Sequence, residues 1–266
     1  MPAKDGFQLQ DADIEILHDV FRLRLATVDQ IANLTGRSIR ALWNRLLKLT
    51  ERHYLASVAR FMQKRVYAVG MEGIRVLIEH GFAPEDLADT RLRHRELTEI
   101  GIRHALFLAD IHALLLRLSA SGPVKLLHWA EGPSLWDKIV PSRGSAAIPI
   151  RPDAWITLAH CELPAPGNTF HVFIEADRGT MAHSRMIQKI QGYVAYHDQQ
   201  RFTARYPGMK TFSVATITET RRRAQELQDA LHPILPTAKS RRAYRFLPVE
   251  HLTPEALIGV KPIGPS

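Results

Sequence analysis

The sequence contains a single cysteine, Cys161, among 266 residues. One thiol cannot form an intrachain disulfide or a thiolate zinc cluster, and this composition is typical of a reducing compartment. No apolar run approaches the roughly 20 residues that span a bilayer, and residues 1–10 lack the apolar core of a signal peptide. We therefore expect a cytoplasmic protein with no membrane partner.

Acidic residues are outnumbered by basic ones, 27 to 35, which gives a formal charge of +8 and a pI near 9.8. An excess of basic over acidic residues favours polyanionic partners, although it carries no information about the fold. The length is sufficient for two ordinary domains. No internal repeat or low-complexity tract interrupts the chain.

Residues 1–82 contain an order of elements that is typical of a helix-turn-helix domain. Apolar residues recur at helical spacing over residues 11–24, and Thr27 and Gln30 form a capping box that begins a short helix. Gly36 suits the left-handed end of that helix, and Ser38 caps a second one. The pattern predicts a helix-turn-helix.

The helix that begins after Ser38 has two different faces. Its apolar stripe is formed by Ile39, Leu42, Leu46 and Leu49. Arginine and asparagine read base edges in the major groove, and we expect the opposite face to contact double-stranded DNA through Arg37, Arg40, Asn44, Arg45 and Lys48. The alternative is that this basic face is only solvated surface.

A hairpin is predicted directly after this helix, with strands at residues 54–61 and 65–69. Its tip, Met62-Gln63-Lys64, is basic, and Lys64 and Arg65 would contact phosphates or a minor groove. Together with a further amphipathic helix at residues 70–78, these elements predict a winged helix over residues 1–82. Winged helices bind either DNA or protein, and those that bind two-fold sites often form homodimers.

A linker at residues 81–90 separates this domain from a second one at residues 91–250, and residues 251–266 form a C-terminal tail. The predicted elements of the second domain are a helix at 95–119, strands at 124–130, 151–159 and 170–177, a helix at 181–206, a strand at 210–217, a helix at 219–231 and a strand at 242–247. Pro, Gly and Ser residues predict a mobile loop over residues 132–149. The fold class is therefore α+β, with a mixed sheet covered by helices on both faces.

Three carboxylates lie at the ends of two neighbouring predicted strands. Residues two apart in a strand share a face, so Glu175 and Asp177 point the same way. Asp153 begins the preceding strand, where an antiparallel partner would bring it close to Glu175. Asp153 and Glu175 are the candidate ligands for Mg²⁺ or Mn²⁺, which bind hard oxygen donors together with phosphate.

Lys189 is the candidate positive group of this site. Metal-dependent phosphodiester cleavage uses a lysine to orient water or to stabilise charge. Asp177 occupies the position from which that lysine would act. Lys189 shares a helical stripe with Arg185 and Tyr193, at spacings of four residues. The candidate catalytic residues are therefore Asp153, Glu175, Asp177 and Lys189.

Three features resemble the PD-(D/E)XK nuclease superfamily: the order of the elements, the segment Pro152-Asp153 and the segment Glu175-Ala176-Asp177. More specifically, the chain from about residue 10 to 220 resembles the replication-relaxation family of plasmids and other mobile elements, in which a winged helix precedes segments close to "RPD" and "E-x-D-R-G-T". The resemblance implies a restriction-endonuclease-like second domain and a role in replication or DNA relaxation. Asp177 replaces the last lysine of the nuclease motif, and an acid cannot supply the charge of an ammonium.

Three functions remain open from the sequence. The first is a DNA-binding protein whose nuclease-like domain is degenerate, and the second is an endonuclease or nickase dependent on a divalent metal. The third is a non-enzymatic assembly factor whose winged helix binds protein. The carboxylates have a purely structural alternative as well, in which Glu175 pairs with Arg151 or Arg178.

Overall fold

The computed structural model describes residues 7–82, 98–235 and 237–259. It divides into two compact units, Met1–Ala113 and Leu114–Ser266. The predicted linker lies mostly outside the described residues, and the division between the units falls inside a long helix. In the part of the chain that is described, no helix has both the length and the apolar character needed to cross a bilayer.

The first unit contains helices, a hairpin and a short additional strand. In chain order its elements are α1 (Asp11–Leu23), β1 (Ala26–Thr27), α2 (Val28–Thr35), α3 (Ile39–Glu51), β2 (Leu55–Phe61), β3 (Lys64–Val69) and α4 (Met71–Glu79), followed by α5 (Glu99–Ser121), which continues into the second unit.

Local sequence signals fix the boundaries of α2 and α3 as predicted. The Thr27 backbone N–H donates to Gln30 Oε1 at 2.8 Å, which is one half of the capping box. Gly36 ends α2 in the left-handed conformation, with φ of 67°. Ser38 Oγ then accepts a hydrogen bond from the Ala41 backbone N–H at 3.3 Å and begins α3.

The hairpin differs from the prediction by one residue. Met62 and Gln63 both have positive φ, 46° and 65°, which is the conformation of a tight two-residue hairpin turn. Lys64 was predicted in the tip, but it is the first residue of β3 and pairs with Phe61. β1 adds to the other side of β3, so the sheet order is β1-β3-β2, with antiparallel pairs.

Leu42, Leu46 and Leu49 are buried in the core of the first unit, as the predicted stripe requires. Ile39 is not part of that stripe, because its side chain is 47% exposed. It is the first residue of α3 and precedes the turns that contact the core. That part of the prediction is wrong.

The second unit is built on a five-stranded sheet of order β10-β9-β8-β7-β4. Its strands are β4 (Val124–Glu131), β5 (Asp137–Ile139), β6 (Ile148–Ile150), β7 (Ala154–His160), β8 (Thr169–Asp177), β9 (Ser213–Thr218) and β10 (Tyr244–Pro248). Its helices after α5 are α6 (His183–Asp198), α7 (Phe202–Arg205), α8 (Arg221–Leu231), α9 (Ala238–Ala243) and α10 (Pro254–Ile258), with short 3₁₀ turns at Pro133–Leu135, His232–Ile234 and Val249–His251.

The predicted mixed sheet is confirmed. β4, β7 and β8 form an antiparallel meander, and the crossover through α6 makes β9 parallel to β8. β10 is also parallel to β9. Both faces of the sheet are covered, since Phe173 and Ile174, on opposite faces of β8, are each 0% exposed.

Two predicted segments have a different structure from the one expected. The segment at residues 132–149 contains the 3₁₀ turn and β5, which pairs with the short strand β6, where a loop was predicted. Strands of three residues are too short to produce a periodic pattern in the sequence. The predicted helix at 181–206 ends at Asp198, and Gln200 follows with φ of 52°, outside helical geometry.

Candidate functional site

Asp153 and Glu175 are brought together at one end of the β7–β8 pair. The Asp153 backbone N–H donates to the Ile174 carbonyl oxygen at 3.0 Å, which places Asp153 beside the end of β8. Asp153 Oδ2 in turn accepts a hydrogen bond from the Ala176 backbone N–H at 2.8 Å. The side chain therefore holds the strand end in register, in addition to contributing a charge near Glu175.

Glu175 lies on the face of β8 that packs against α6. Tyr193 Oη donates to Glu175 Oε1 at 2.5 Å, and the Lys189 ammonium forms a short ion pair with Oε2. Lys189 and Tyr193 are four residues apart on α6 and therefore share a helix face. The Tyr193 ring also stacks on Phe173, with ring centroids 5.8 Å apart.

Burial determines the electrostatics of this network. Glu175 is only 2% exposed, and burial raises its pKa to about 7, with Lys189 opposing the rise and Asp153 adding to it. Burial acts to lower the pKa of Lys189, but attraction by Glu175 and Asp153 outweighs it, so that pKa is raised. The pKa of Tyr193 is raised by burial and by Glu175, which keeps its hydroxyl protonated.

Asp177 does not join this network. Its Oδ2 accepts a hydrogen bond from Arg223 Nε at 2.6 Å, and its Oδ1 accepts one from the Gly179 backbone N–H at 3.2 Å. Arg223 also donates to the Met181 carbonyl oxygen at 2.6 Å. Asp177 therefore fixes the first turn of α8 and the segment after β8, and its predicted catalytic role has no support in this geometry.

The two arginines considered as alternative partners of Glu175 lie elsewhere. Arg178 forms an ion pair with Glu219 at 3.1 Å. The Arg151 guanidinium lies over the Trp136 ring, 4.9 Å from its centroid. The partner of Glu175 is Lys189, the residue that the helical stripe singled out.

At Glu175, Mg²⁺ or Mn²⁺ would have to compete with the side chains that already contact the carboxylate. Both Glu175 oxygens are occupied, by Tyr193 and by Lys189, and a cation would have to displace the Lys189 ammonium. Among the residues that the structure describes, no group of three or more His, Cys, Asp or Glu side chains is placed to hold a metal ion. Asp153 and Glu175 remain the predicted ligand pair.

One side of α3 exposes three of the predicted contact residues to solvent. Arg40, Asn44 and Lys48 are exposed, at spacings of four residues along one side of α3. Arg37, before the helix, is half-buried. Within the described residues these four side chains form no hydrogen bond or ion pair.

Arg45 has a different environment from its predicted neighbours on that surface. Its Nε donates to Asp13 Oδ1 at 2.6 Å, and its Nη2 forms an ion pair with Asp13 Oδ2. The same Nη2 also donates to the Gln8 carbonyl oxygen at 2.8 Å. Its guanidinium lies over the Phe7 ring, 4.5 Å from the centroid. Arg45 therefore connects α3 to α1, a structural contact that competes with the predicted DNA contact.

The hairpin places its two predicted contact residues at the start of β3. Lys64 Nζ forms an ion pair with Asp29 Oδ2 at 2.6 Å, and both side chains are partly exposed. Arg65 is half-buried beside Tyr67.

Trp43 is the residue on this surface that the sequence interpretation missed. Its side chain is 53% exposed, and it lies on α3 between Arg40 and Asn44. The signal was present, because position 43 falls outside the 42-46-49 stripe of buried leucines. An apolar side chain among cations on an exposed helix face is suited to contact with a base or its methyl group.

One comparison with known proteins gave a match. A family model described as replication-relaxation matches residues 17–211, which include parts of both compact units. The search of curated proteins gave no match, and neither did the search of solved structures.

Proposed function

The chain belongs to the replication-relaxation family, and from this premise we propose that it binds double-stranded DNA during replication or relaxation of a plasmid or other mobile element. In this proposal the first unit is a winged helix, with α3 as the recognition helix and the β2–β3 hairpin as the wing. The second unit is a PD-(D/E)XK-like domain that has lost cleavage activity.

The observation that carries this proposal is the exposed face of α3. Arg40, Asn44 and Lys48 are exposed together and make no hydrogen bond or ion pair within the described residues. Leaving several long polar side chains unpaired on one face keeps them available for phosphates and base edges. The formal charge of +8 adds long-range attraction to a polyanion.

The anchoring of α3 supports the same function. Asp13 is 1% exposed, and its ion pair with Arg45 connects α3 to α1. A recognition helix must be held rigidly to position its side chains over several base pairs. In the proposal Arg45 orients the helix, while Arg40 and Asn44 face the groove.

The proposed loss of cleavage activity rests on the ion pairs and hydrogen bonds that the acidic side chains already form. Glu175 is neutralised by Lys189 and hydrogen-bonded by Tyr193, while Asp177 is neutralised by Arg223. A buried carboxylate with both oxygens occupied stabilises its surroundings and does not present ligand positions to a cation. These contacts favour a structural role for the acids.

A salt titration of duplex binding tests the recognition surface. Each phosphate contact that is lost should reduce the slope of log K against log salt by about 0.9, so Lys48→Ala should bind more weakly and with a shallower slope. Arg40→Ala, which removes a contact in the groove, should also bind more weakly. Arg75→Ala is the matched control, because Arg75 is an exposed arginine of the same unit that pairs with Glu72 on α4. Wild-type affinity and slope in both α3 variants would refute the assignment.

A divalent-metal-dependent endonuclease or nickase is the second candidate function. It is favoured by the approach of Lys189 to Glu175, with Asp153 near both, because these are the residue types that phosphodiester cleavage requires. Supercoiled plasmid incubated with the protein and Mg²⁺ or Mn²⁺ would be nicked by the wild type and not by Asp153→Ala. Equal nicking by both proteins, or none by either, would exclude this candidate.

A further inference from the structure

The β5–β6 hairpin of the second unit has one buried and one exposed face. Successive side chains of a strand point to opposite faces. The inner face belongs to the core that includes α6, and its side chains are the buried isoleucines Ile139, Ile148 and Ile150. The outer face is formed by exposed side chains of the two strands and of the residues that flank them, Trp136, Lys138, Val140, Pro149 and Arg151.

Contacts with α6 hold the hairpin in place. Gln199, directly after α6, donates through Nε2 to the carbonyl oxygens of Val140 and Pro141, at 2.9 and 3.2 Å. On the inner side the approach is so close that a Cβ at Gly192 would lie 2.7 Å from Ile148 Cγ2. A surface that is fixed in this way loses little conformational freedom when a partner binds.

The outer face is basic. Residues 136–151 contain three cations, Lys138, Arg143 and Arg151, and one acid, Asp137. Asp137 is half-buried and already accepts hydrogen bonds from Tyr196 Oη at 3.0 Å and from the Lys138 backbone N–H at 2.8 Å. In the part of the chain that is described, the side chains of Lys138 and Arg143 form no hydrogen bond or ion pair. The charge of this face therefore suits a polyanion.

Trp136 adds a flat aromatic surface beside these cations. It is 44% exposed, and the Arg151 guanidinium lies 4.9 Å from its ring centroid. Arg151 forms no ion pair with any described carboxylate, so its N–H groups remain available to a phosphate. Bases of single-stranded nucleic acid stack on exposed aromatic rings, while neighbouring cations follow the phosphate backbone.

We propose that the outer face binds an unpaired strand of DNA, with a base stacked on Trp136 and phosphates held by Lys138 and Arg151. A duplex presents only base edges in its grooves, so its bases cannot stack on this ring. The choice of DNA rests on the proposed function, since a duplex bound by the first unit yields unpaired DNA strands when it opens. The site itself goes beyond duplex recognition by α3.

Fluorescence anisotropy of a labelled homothymidine oligonucleotide tests this proposal on the full chain, with an excess of unlabelled duplex to occupy α3. Trp136→Ala should weaken binding of the oligonucleotide by about fivefold or more, the contribution of one stacked base. Trp136→Phe keeps an aromatic face and should recover most of that loss. Lys138→Ala should bind more weakly and reduce the slope of log K against log salt by about 0.7.

Two exposed residues of the same unit, both outside the hairpin, supply matched controls. Leu127 on β4 is 61% exposed, and Leu127→Ala is the control for the loss of an apolar side chain. Arg222 on α8 is an exposed cation that pairs with Glu226 at 3.6 Å, and Arg222→Ala is the control for the loss of a charge. Both should bind the oligonucleotide like the wild type. Quenching of tryptophan fluorescence by the oligonucleotide should be reduced in Trp136→Phe, a variant that still binds.

An abasic strand of the same length separates base stacking from attraction to a polyanion. It keeps the phosphates and should bind about fivefold or more weakly. Equal binding would show that the outer face recognises any polyanion, an acidic protein segment included, and would overturn the proposal. Wild-type affinity in both Trp136→Ala and Lys138→Ala, full displacement of the oligonucleotide by the duplex, or tighter binding of a homouridine strand would also overturn it. Binding of the oligonucleotide with the expected losses, but none of duplex, would support this site and contradict the proposed function.

Discussion

Replacing Lys189 with methionine would remove the ammonium that neutralises Glu175 and keep most of the apolar volume of the side chain. The pair is well buried, with side-chain exposures of 18% for Lys189 and 3% for Glu175. Burial already raises the pKa of Glu175 to about 7, against the opposing effect of Lys189. Without the ammonium we expect this pKa to rise further.

The size and sign of the effect follow from proton linkage. The folded pKa of Glu175 is above its ordinary value of 4.5, so ionisation opposes folding: the penalty is absent below pH 4.5, grows as the pH rises, and levels off above the folded pKa. It levels off near pH 7 in the wild type and at a higher pH in the variant. An opposite charge shifts a carboxyl pKa by about 1–3 pH units, and each unit corresponds to about 1.4 kcal/mol. Near pH 9 the free energy of unfolding of the variant should therefore be about 1–3 kcal/mol lower than that of the wild type. Near pH 5.5 the two proteins should have similar free energies of unfolding.

Urea unfolding at the two pH values measures this difference. In a Trp43→Phe background the fluorescence comes from the three tryptophans of the second unit, Trp129, Trp136 and Trp155. Arg185→Met is the matched control, because Arg185 is an exposed cation one turn earlier on α6, and its loss should be nearly independent of pH. Equal destabilisation of Lys189→Met at both pH values, or a larger loss in acid, would refute the assigned electrostatics.

Two further substitutions test the packing. Arg45→Met should destabilise the first unit by about 2–4 kcal/mol in urea denaturation. Breaking a fully buried pair costs about 3–5 kcal/mol, and the expected loss is smaller because the Arg45 side chain is 22% exposed beside buried Asp13. The control Arg40→Met should cost under about 0.5 kcal/mol in the same assay, and equal losses in the two variants would contradict the anchoring role of Arg45. Gly192→Ala would place a Cβ 2.7 Å from Ile148 Cγ2, so overpacking should lower the midpoint of thermal unfolding at a cost of about 1–3 kcal/mol, and an unchanged midpoint would show that α6 and β6 do not pack this closely.

Features that depend on a few neighbouring residues could be predicted from the sequence. The capping box at Thr27, the left-handed Gly36 and the cap at Ser38 act within one turn of chain, so their signals are local. The alternation of β8 likewise placed Glu175 and Asp177 on one face, and the spacing of four residues on α6 placed Lys189 and Tyr193 on one stripe, although the ion pair between Lys189 and Glu175 was not predicted.

Features that depend on long-range pairing could not be predicted in the same way. Asp13 and Arg45 are 32 residues apart, and Asp177 and Arg223 are 46 apart. Nothing in the local pattern distinguishes an arginine that will meet a buried acid from one that stays solvated. For this reason the sequence pattern places Arg45 among the DNA contacts and Asp177 among the catalytic acids.

Affinity cleavage of duplex DNA tests most directly whether α3 is the recognition helix. With the lone, exposed Cys161 replaced by serine, a single cysteine at exposed Ala41 on α3 can carry a tethered iron chelate, and a cysteine at exposed Glu79 on α4 serves as the matched control. The proposed function predicts strong cleavage of the bound duplex from position 41 and little from position 79. Absent cleavage from position 41, or equal cleavage from both positions, would contradict it.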